Sequence, residues 1–159
     1  MRPFMRATLG ICVITLTCGL ASPYLSAAES QITLGSAKLE ITPEPGTPLS
    51  GYGKRKGRPS TGVHDPLYAR ALALHYENQS YVLISVDLVL VDASLRQSVL
   101  RKIQKHYDMH EEHLILVATH NHSGTGSIGK RFWQRFIMGK FKKKVFEKLT
   151  DTVAQTALE

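Results

Sequence analysis

Apolar residues along the chain alternate with polar and glycine-rich breaks, and their spacing changes from one block to the next. In residues 37–41, Ala37, Leu39 and Ile41 share one parity, which predicts a strand. Thr42-Pro43 ends it, because proline removes a ladder donor. Residues 67–76 and 81–91 are apolar runs flanking the polar tetrad Glu77-Asn78-Gln79-Ser80. That arrangement predicts a hairpin. The second run, YVLISVDLVLV, is apolar on both parities. It therefore reads as a central strand covered on both faces, in a sheet flanked by helices. Residues 93–109 carry Leu95, Val99, Leu100 and Ile103 at helical spacing, with Asp92 as N-cap and Tyr107 extending the face. His106, His110 and His113 near its end read as solvent-side residues that complement the helix dipole. Residues 114–118, LILVA, predict a short buried strand. Strand, helix, strand in that order implies a crossover and parallel pairing of the last two strands. Residues 132–159 read as helical with a break at Gly139. Val145, Phe146, Leu149, Val153 and Ala157 form the later apolar face.

The fold class that results is α/β: a mixed β-sheet with flanking helices. Two connections stand out. Residues 43–59 are rich in Pro, Gly and basic side chains, and 17 residues without an element is long enough to suggest a functional loop. Gly62-Val63-His64-Asp65-Pro66 is a turn with a histidine at its centre.

The densest chemistry follows the 114–118 strand, in Thr119-His120-Asn121-His122 and then Ser123-Gly124-Thr125-Gly126-Ser127. Side chains two apart on an extended strand share a face, so His120 and His122 point the same way if the extended form persists. Neutral imidazole is the commonest metal ligand, and zinc binds it readily. Two loop histidines making ordinary hydrogen bonds fit the same bare pattern, because His-x-His is short. Asp87 lies inside the apolar run 81–91, where a carboxylate must be paired, hydrogen-bonded to backbone or near a metal.

Composition sets the remaining bounds. At 159 residues, 43% hydrophobic and 21% charged, the chain is of globular type and one ordinary domain in size. Residues 1–28 have the plan of a secretory signal peptide: Arg2 and Arg6, an apolar stretch over 7–21, then Ser26-Ala27-Ala28. Cleavage is expected after Ala28 or Ala27, which makes the protein secreted or periplasmic. An uncleaved anchor fits less well, since the apolar core is short of the roughly 20 residues a span needs. A lipoprotein reading would use Cys18, but Thr17 precedes it where a small residue is wanted. Both cysteines, Cys12 and Cys18, leave with the signal, and no disulfide remains. Loss of Arg2 and Arg6 lowers the net charge from +7 to +5. The basic cluster Lys140, Lys142, Lys143, Lys144 and Lys148 is of the kind that meets anionic lipid or nucleic acid. Without aromatic interleaving or a nucleic-acid motif it reads as a solvated helix face, and no nucleic-acid partner is expected.

Several stretches then agree in order: Glu40-Ile41-Thr42-Pro43, Leu49-Ser50-Gly51-Tyr52, Gly62-Val63-His64 with Leu67-Tyr68-Ala69-Arg70-Ala71, Ser85-Val86-Asp87-Leu88, and Ala118-Thr119-His120-Asn121-His122-Ser123-Gly124. Together they resemble the N-terminal part of the catalytic domain of the neutral/alkaline, non-lysosomal ceramidase family, over residues 29–159. The resemblance implies a zinc-dependent amidohydrolase that splits N-acylsphingosine into a fatty acid and a sphingoid base, with a lipid substrate and peripheral contact with a membrane surface. It implies that His120 ligates Zn2+ and that His122 belongs to the same active site. His64 and Asp87 are expected beside that site, fixing imidazole orientation. Asn121 stands where the family usually has Thr, and Ser123-Gly124-Thr125-Gly126-Ser127 replaces Ser-Gly-Pro-Gly-Gly.

The family's other zinc ligands (a further His, a Glu and a Tyr) and its nucleophilic serine lie in motifs that this chain does not contain, and Ser123 is not that serine. A catalytic zinc takes about three protein ligands. The chain therefore reads as the front portion of such an enzyme, with the remaining catalytic segment missing. Two rivals stay open: an exported metallohydrolase acting on another amide or ester, and a non-catalytic basic fragment that binds surfaces or lipids.

Overall fold

A computed structural model describes residues 31–159, so the expected signal peptide and both cysteines lie outside the described residues. The order of elements is β1 (Ile32–Glu40), β2 (Tyr68–Tyr76), β3 (Gln79–Val86), α1 (Ala93–Ile103), β4 (Leu114–Ala118), α2 (Gln134–Met138) and α3 (Lys143–Leu158), with short 3-10 turns at Gly53–Arg55 and Glu111–His113. The four strands form one sheet in the order β1-β2-β3-β4. β1, β2 and β3 run antiparallel, and β4 joins β3 in parallel with Val82 opposite Leu114 and Val86 opposite Ala118. This is the expected mixed sheet, with α1 as the crossover between its parallel strands.

The termini of the elements differ from the sequence expectations for local reasons. β1 begins at Ile32, five residues before the alternating stretch, because β2 is long enough to pair with it from Tyr68 to Tyr76. The β2–β3 turn is two residues long, with Glu77 at φ 53°. β3 stops at Val86, because Asp87 leaves the ladder and bonds to Tyr68. The apolar residues after it, Leu88 and Val89, are buried outside any strand. Asp92 caps α1 as expected, accepting from Leu95 N–H at 2.9 Å. α1 closes at Ile103, short of Met109. Gly139, at φ 76°, separates α2 from α3.

One expectation is corrected. β3 is internal to the sheet, yet only one of its faces is covered. Val82, Ile84 and Val86 are buried, together with Ala69 and Ala71 of β2. They join the apolar faces of α1 and α3 in one core that includes Leu95, Val99, Ile103, Phe146, Leu149 and Val153. Both helices lie on this side. On the opposite face Leu72, Leu83, Ile115 and Val117 remain 40 to 50% exposed. The continuous apolar pattern of residues 81–91 thus records one buried face and one open face. Lys102 of α1 clasps α3 by ion pairs to Glu147 and Asp151. The basic residues Lys143, Lys144 and Lys148 face solvent, and Lys148 pairs with Glu44. No helix among the described residues is long and apolar enough to cross a membrane.

Candidate functional site

The parallel pairing of β3 and β4 brings their carboxyl ends side by side, and both chains leave the sheet there. Thr119 N–H still bonds to Val86 O at 3.0 Å, and Asn121 N–H bonds to Leu88 O at 3.0 Å. Between those two anchors His120 takes a left-handed backbone, φ 62°. The extended form therefore does not persist. The two imidazoles meet nevertheless: Nε2 of His122 lies 3.1 Å from Nε2 of His120. Their rings are tilted 69° with centroids 4.7 Å apart. A non-glycine residue held in the left-handed region costs about 1–3 kcal/mol, and such strain clusters at functional sites.

The two rings are not equally prepared. Nδ1 of His120 lies 2.7 Å from the Val89 carbonyl. A carbonyl only accepts, so this nitrogen carries a hydrogen, and in the neutral ring that leaves the lone pair on Nε2. Metal-binding histidines ordinarily have such an acceptor behind them. Nδ1 of His122 is buried without a hydrogen-bond partner. His122 is placed instead by its surroundings. Tyr52 meets its ring edge-on at 4.8 Å. Arg55 donates through Nη1 to the His122 carbonyl at 2.6 Å and to the Ser50 carbonyl at 3.1 Å, and through Nη2 to Ser123 Oγ at 3.4 Å. Gly51, at φ +105°, lies so close that a Cβ there would sit 2.6 Å from Cγ of His122. Ser50 N–H and Oγ–H both bond to Gly124 O, which ties the 43–59 loop to the histidine loop.

Asp87 is largely buried and receives bonds from Tyr68 N–H at 2.9 Å, Arg70 Nη1 at 3.0 Å and Thr119 Oγ1 at 3.3 Å. Burial works to raise its pKa, but those donors outweigh it and hold the carboxyl below its ordinary range. Asp87 thus reaches the histidines only through Thr119, the residue before His120. His64 is 96% exposed and bonds to Asp65 at 2.7 Å, which raises its pKa. It lines a hollow of about 400 Å³ together with Asn121 and Ser123, beside the pair and not in contact with it.

Whether zinc fits can be tested on the donors present. Two nitrogens on one tetrahedral zinc with bonds of 2.0–2.1 Å lie roughly 3.3 Å apart. The 3.1 Å between the Nε2 atoms is close to that span. No group of three or more His, Cys, Asp or Glu among the described residues could hold a metal ion. The pair fits as part of a zinc site that needs further ligands.

Reasoning from the sequence singled out the long loop, and Gly51 and Tyr52 within a family-like stretch, but gave neither a role at the histidines and missed Arg55. The signals available were the loop's length and that stretch, because the contacts to His122 are made across more than sixty residues.

Comparison with known proteins gives a consistent result. The profile described as neutral/alkaline non-lysosomal ceramidase, N-terminal, matches residues 32–158. A neutral ceramidase of Mycobacterium tuberculosis is 25% identical over 132 residues, covering 79% of this chain and 21% of that protein. One from Pseudomonas aeruginosa is 23% identical over 150 residues, covering 90% and 22%. A crystal structure of the neutral ceramidase from Pseudomonas aeruginosa shares the fold, with a TM-score of 0.71 at 24% identity over 80% of this chain and 21% of that one. The chain thus spans about a fifth of the length of these relatives.

Proposed function

The chain belongs to the neutral/alkaline non-lysosomal ceramidase family, and we propose from that membership that it forms the N-terminal part of a zinc-dependent amidohydrolase. The substrate in this reading is ceramide, cleaved at its N-acyl amide to a fatty acid and a sphingoid base, by a protein exported through residues 1–28. The observation that carries it is the His120–His122 pair, inside the matched segment, with the His120 tautomer fixed by Val89.

Zinc, when bound, supplies Lewis acidity toward the amide carbonyl and toward water. Nε2 of His120 is the nitrogen that would hold it. His122 faces the same point and is available as a second ligand or as a hydrogen-bond partner of a reacting oxygen. Val89 keeps the His120 proton on Nδ1. Asp87 acts as a positioning residue, fixing Thr119 and with it the end of β4. His64 stands at the rim of the adjoining hollow, where substrate would pass. The remaining ligands are supplied from outside the described residues, so the chain by itself is expected to bind zinc weakly.

The test is zinc affinity by competition with a chromophoric chelator. It is joined, in a full-length family enzyme carrying this segment, by hydrolysis of fluorescent ceramide against a non-lipid amide. His120→Ala should abolish both zinc binding and ceramide turnover. Unchanged zinc content and turnover in that variant would refute the assignment. Faster cleavage of the non-lipid amide would move the substrate class away from ceramide.

A further inference from the structure

A hollow of about 110 Å³ lies between the end of β1, the start of the long loop and the first turns of α3, and neither histidine of the pair lines it. Its walls are of two kinds. Ile41, Val145 and Leu149 are apolar, while Thr47, Thr125 and Lys144 are polar. The polar residues gather at the start of α3. Lys142 N–H donates to Ser127 O at 2.8 Å, and Gly126 N–H donates to Pro48 O at 2.8 Å. These bonds draw the segments that carry Thr125 and Thr47 up to the first turn of the helix.

The polar end lacks a partner. Thr125 is 2% exposed, and its Oγ1 is buried without a hydrogen bond. A buried hydroxyl left unpaired is costly and uncommon in folded proteins. α3 starts at Lys143 with no side-chain cap and no acidic residue in its first turn. Its opening N–H groups and the positive end of its dipole are therefore unmatched. Lys148 is paired with Glu44 at 2.9 Å, but Lys144 has no ion pair or hydrogen bond among the described residues. Glu40 is the other carboxylate at the rim, and Lys142 and Lys143 next to Lys144 outweigh it. The field at this end selects an anion.

We propose that the hollow binds a short aliphatic monocarboxylate, which accepts from Thr125 Oγ1 and Lys144 and lays its tail on Ile41, Val145 and Leu149. Size sets the class. A cavity of about 150 Å³ holds one benzene, so this smaller one, open on one side, takes a tail of about four carbons. A long acyl chain does not fit.

The hollow is coupled to the histidine loop from behind. Thr125 pairs with Leu49 in an isolated bridge, and Gly124 O accepts from Ser50 N–H at 3.0 Å. Leu49 and Ser50 lead directly into Gly51, which packs on His122. A ligand held on Thr125 therefore presses on the segment that sets the His122 ring, which makes the hollow an effector site. The site does not rest on the amidohydrolase reading.

The test titrates valerate into the full chain and follows backbone amide and imidazole nitrogen-15 resonances, with pentylamine, norvaline and pentan-1-ol as matched probes. Saturable binding of valerate at about a millimolar is expected for so small a ligand. It should move the Thr125 and Val145 amides and, with them, the His122 ring. The alcohol and the amine should bind about tenfold more weakly or less, since each lacks the charge that the helix start selects. Thr125→Val keeps the shape and removes the hydroxyl. It should weaken valerate about tenfold, the loss of one hydrogen bond to a charged group. Its thermal midpoint should stay equal or rise, because the hydroxyl bonds to nothing in the free protein. A merely structural role for Thr125 would lower that midpoint. Lys144→Ala should weaken valerate about fivefold, the most an exposed ion pair ordinarily contributes. Val145→Phe fills the hollow and should abolish binding. The proposal falls if valerate gives no saturable shifts, if pentylamine or norvaline binds more tightly than valerate, or if folded Val145→Phe binds like the parent. Saturation that leaves the His122 ring unmoved would overturn the effector role.

Discussion

Arg55 donates to the carbonyl of His122 at 2.6 Å, and the two residues are 67 apart in sequence. The same guanidinium reaches Ser50 O and Ser123 Oγ, and it stacks 4.8 Å from the Tyr52 ring centroid. One side chain therefore holds both loops that build the site. Arg55→Ala leaves the half-buried His122 carbonyl without its charged donor. Hydrogen bonds to charged groups contribute about 1.5–3 kcal/mol, and a loss in that range is expected in urea unfolding. Arg55→Lys should recover only part of it, because an ammonium cannot reproduce the planar fork. A variant as stable as the parent, with unchanged His122 ring resonances, would show that the contact does not organise the loop.

Gly51 makes the corresponding demand on space. At φ +105° an L side chain is strained, and its Cβ would fall 2.6–2.7 Å from Cγ, Cβ and Cα of His122. Gly51→Ala should therefore cost at least about 2 kcal/mol by the usual strain of such a conformation. It should also displace the His122 ring from His120. Chemical denaturation measures the first effect, and nitrogen-15 shifts of the two imidazoles measure the second. An alanine variant that kept both would mean that the loop relaxes freely.

These two residues mark what the sequence could and could not show. The 114–118 strand, the Asp92 cap, the break at Gly139 and the parallel pairing were legible because each depends on local spacing or on a neighbouring cap. His120 and His122 were legible as a pair, but not by the extended geometry expected: His120 is left-handed, and the loop after β4 re-aims both rings. The open face of β3 was illegible, because an apolar run looks the same whether one face is covered or two. Arg55 was illegible because its role depends on how the 43–59 loop folds back over the histidine loop.

Asp92 joins α1 to the segment that carries α2. Its Oδ1 accepts from Leu95 N–H and its Oδ2 from Nε2 of Gln134, a residue 1% exposed. Asp92→Ala removes a cap, about 1 kcal/mol, and strands a buried amide at about 1–3 kcal/mol. A total loss of roughly 2–4 kcal/mol is expected. Burial would raise the Asp92 pKa, but bonds from Gln134, Leu95 and Ser94 overcome it, and the folded value lies below the ordinary one. A depressed folded pKa gives stability that is present above the unfolded value, near 3.9, and is lost as pH falls through the folded value. Asp87 is shifted the same way. The parent should therefore lose stability as pH drops below about 4, and Asp92→Asn should lose less across that window. Equal slopes for the two proteins in acid titrations of the urea midpoint would overturn the assignment.

The open sheet face gives the last prediction. Leu83 and Ile115 are partners in the parallel register of β3 and β4, and they are 40 and 50% exposed. With Leu72 and Val117 they present apolar surface beside an edge strand, a combination that promotes association. The chain should therefore self-associate at rising concentration, which light scattering will detect. Replacing Leu83 by Lys and Ile115 by Glu places opposite charges side by side across the two strands, an arrangement a sheet tolerates well. Because both positions are half open, stability should change by about 1 kcal/mol or less, while association falls sharply. If the parent stayed monodisperse at high concentration, the face would be no liability. If the variant unfolded instead, these leucine and isoleucine side chains would belong to the core, against their exposure in the structure. The expected separation, association lost with stability kept, follows from helices that cover one side of the sheet only.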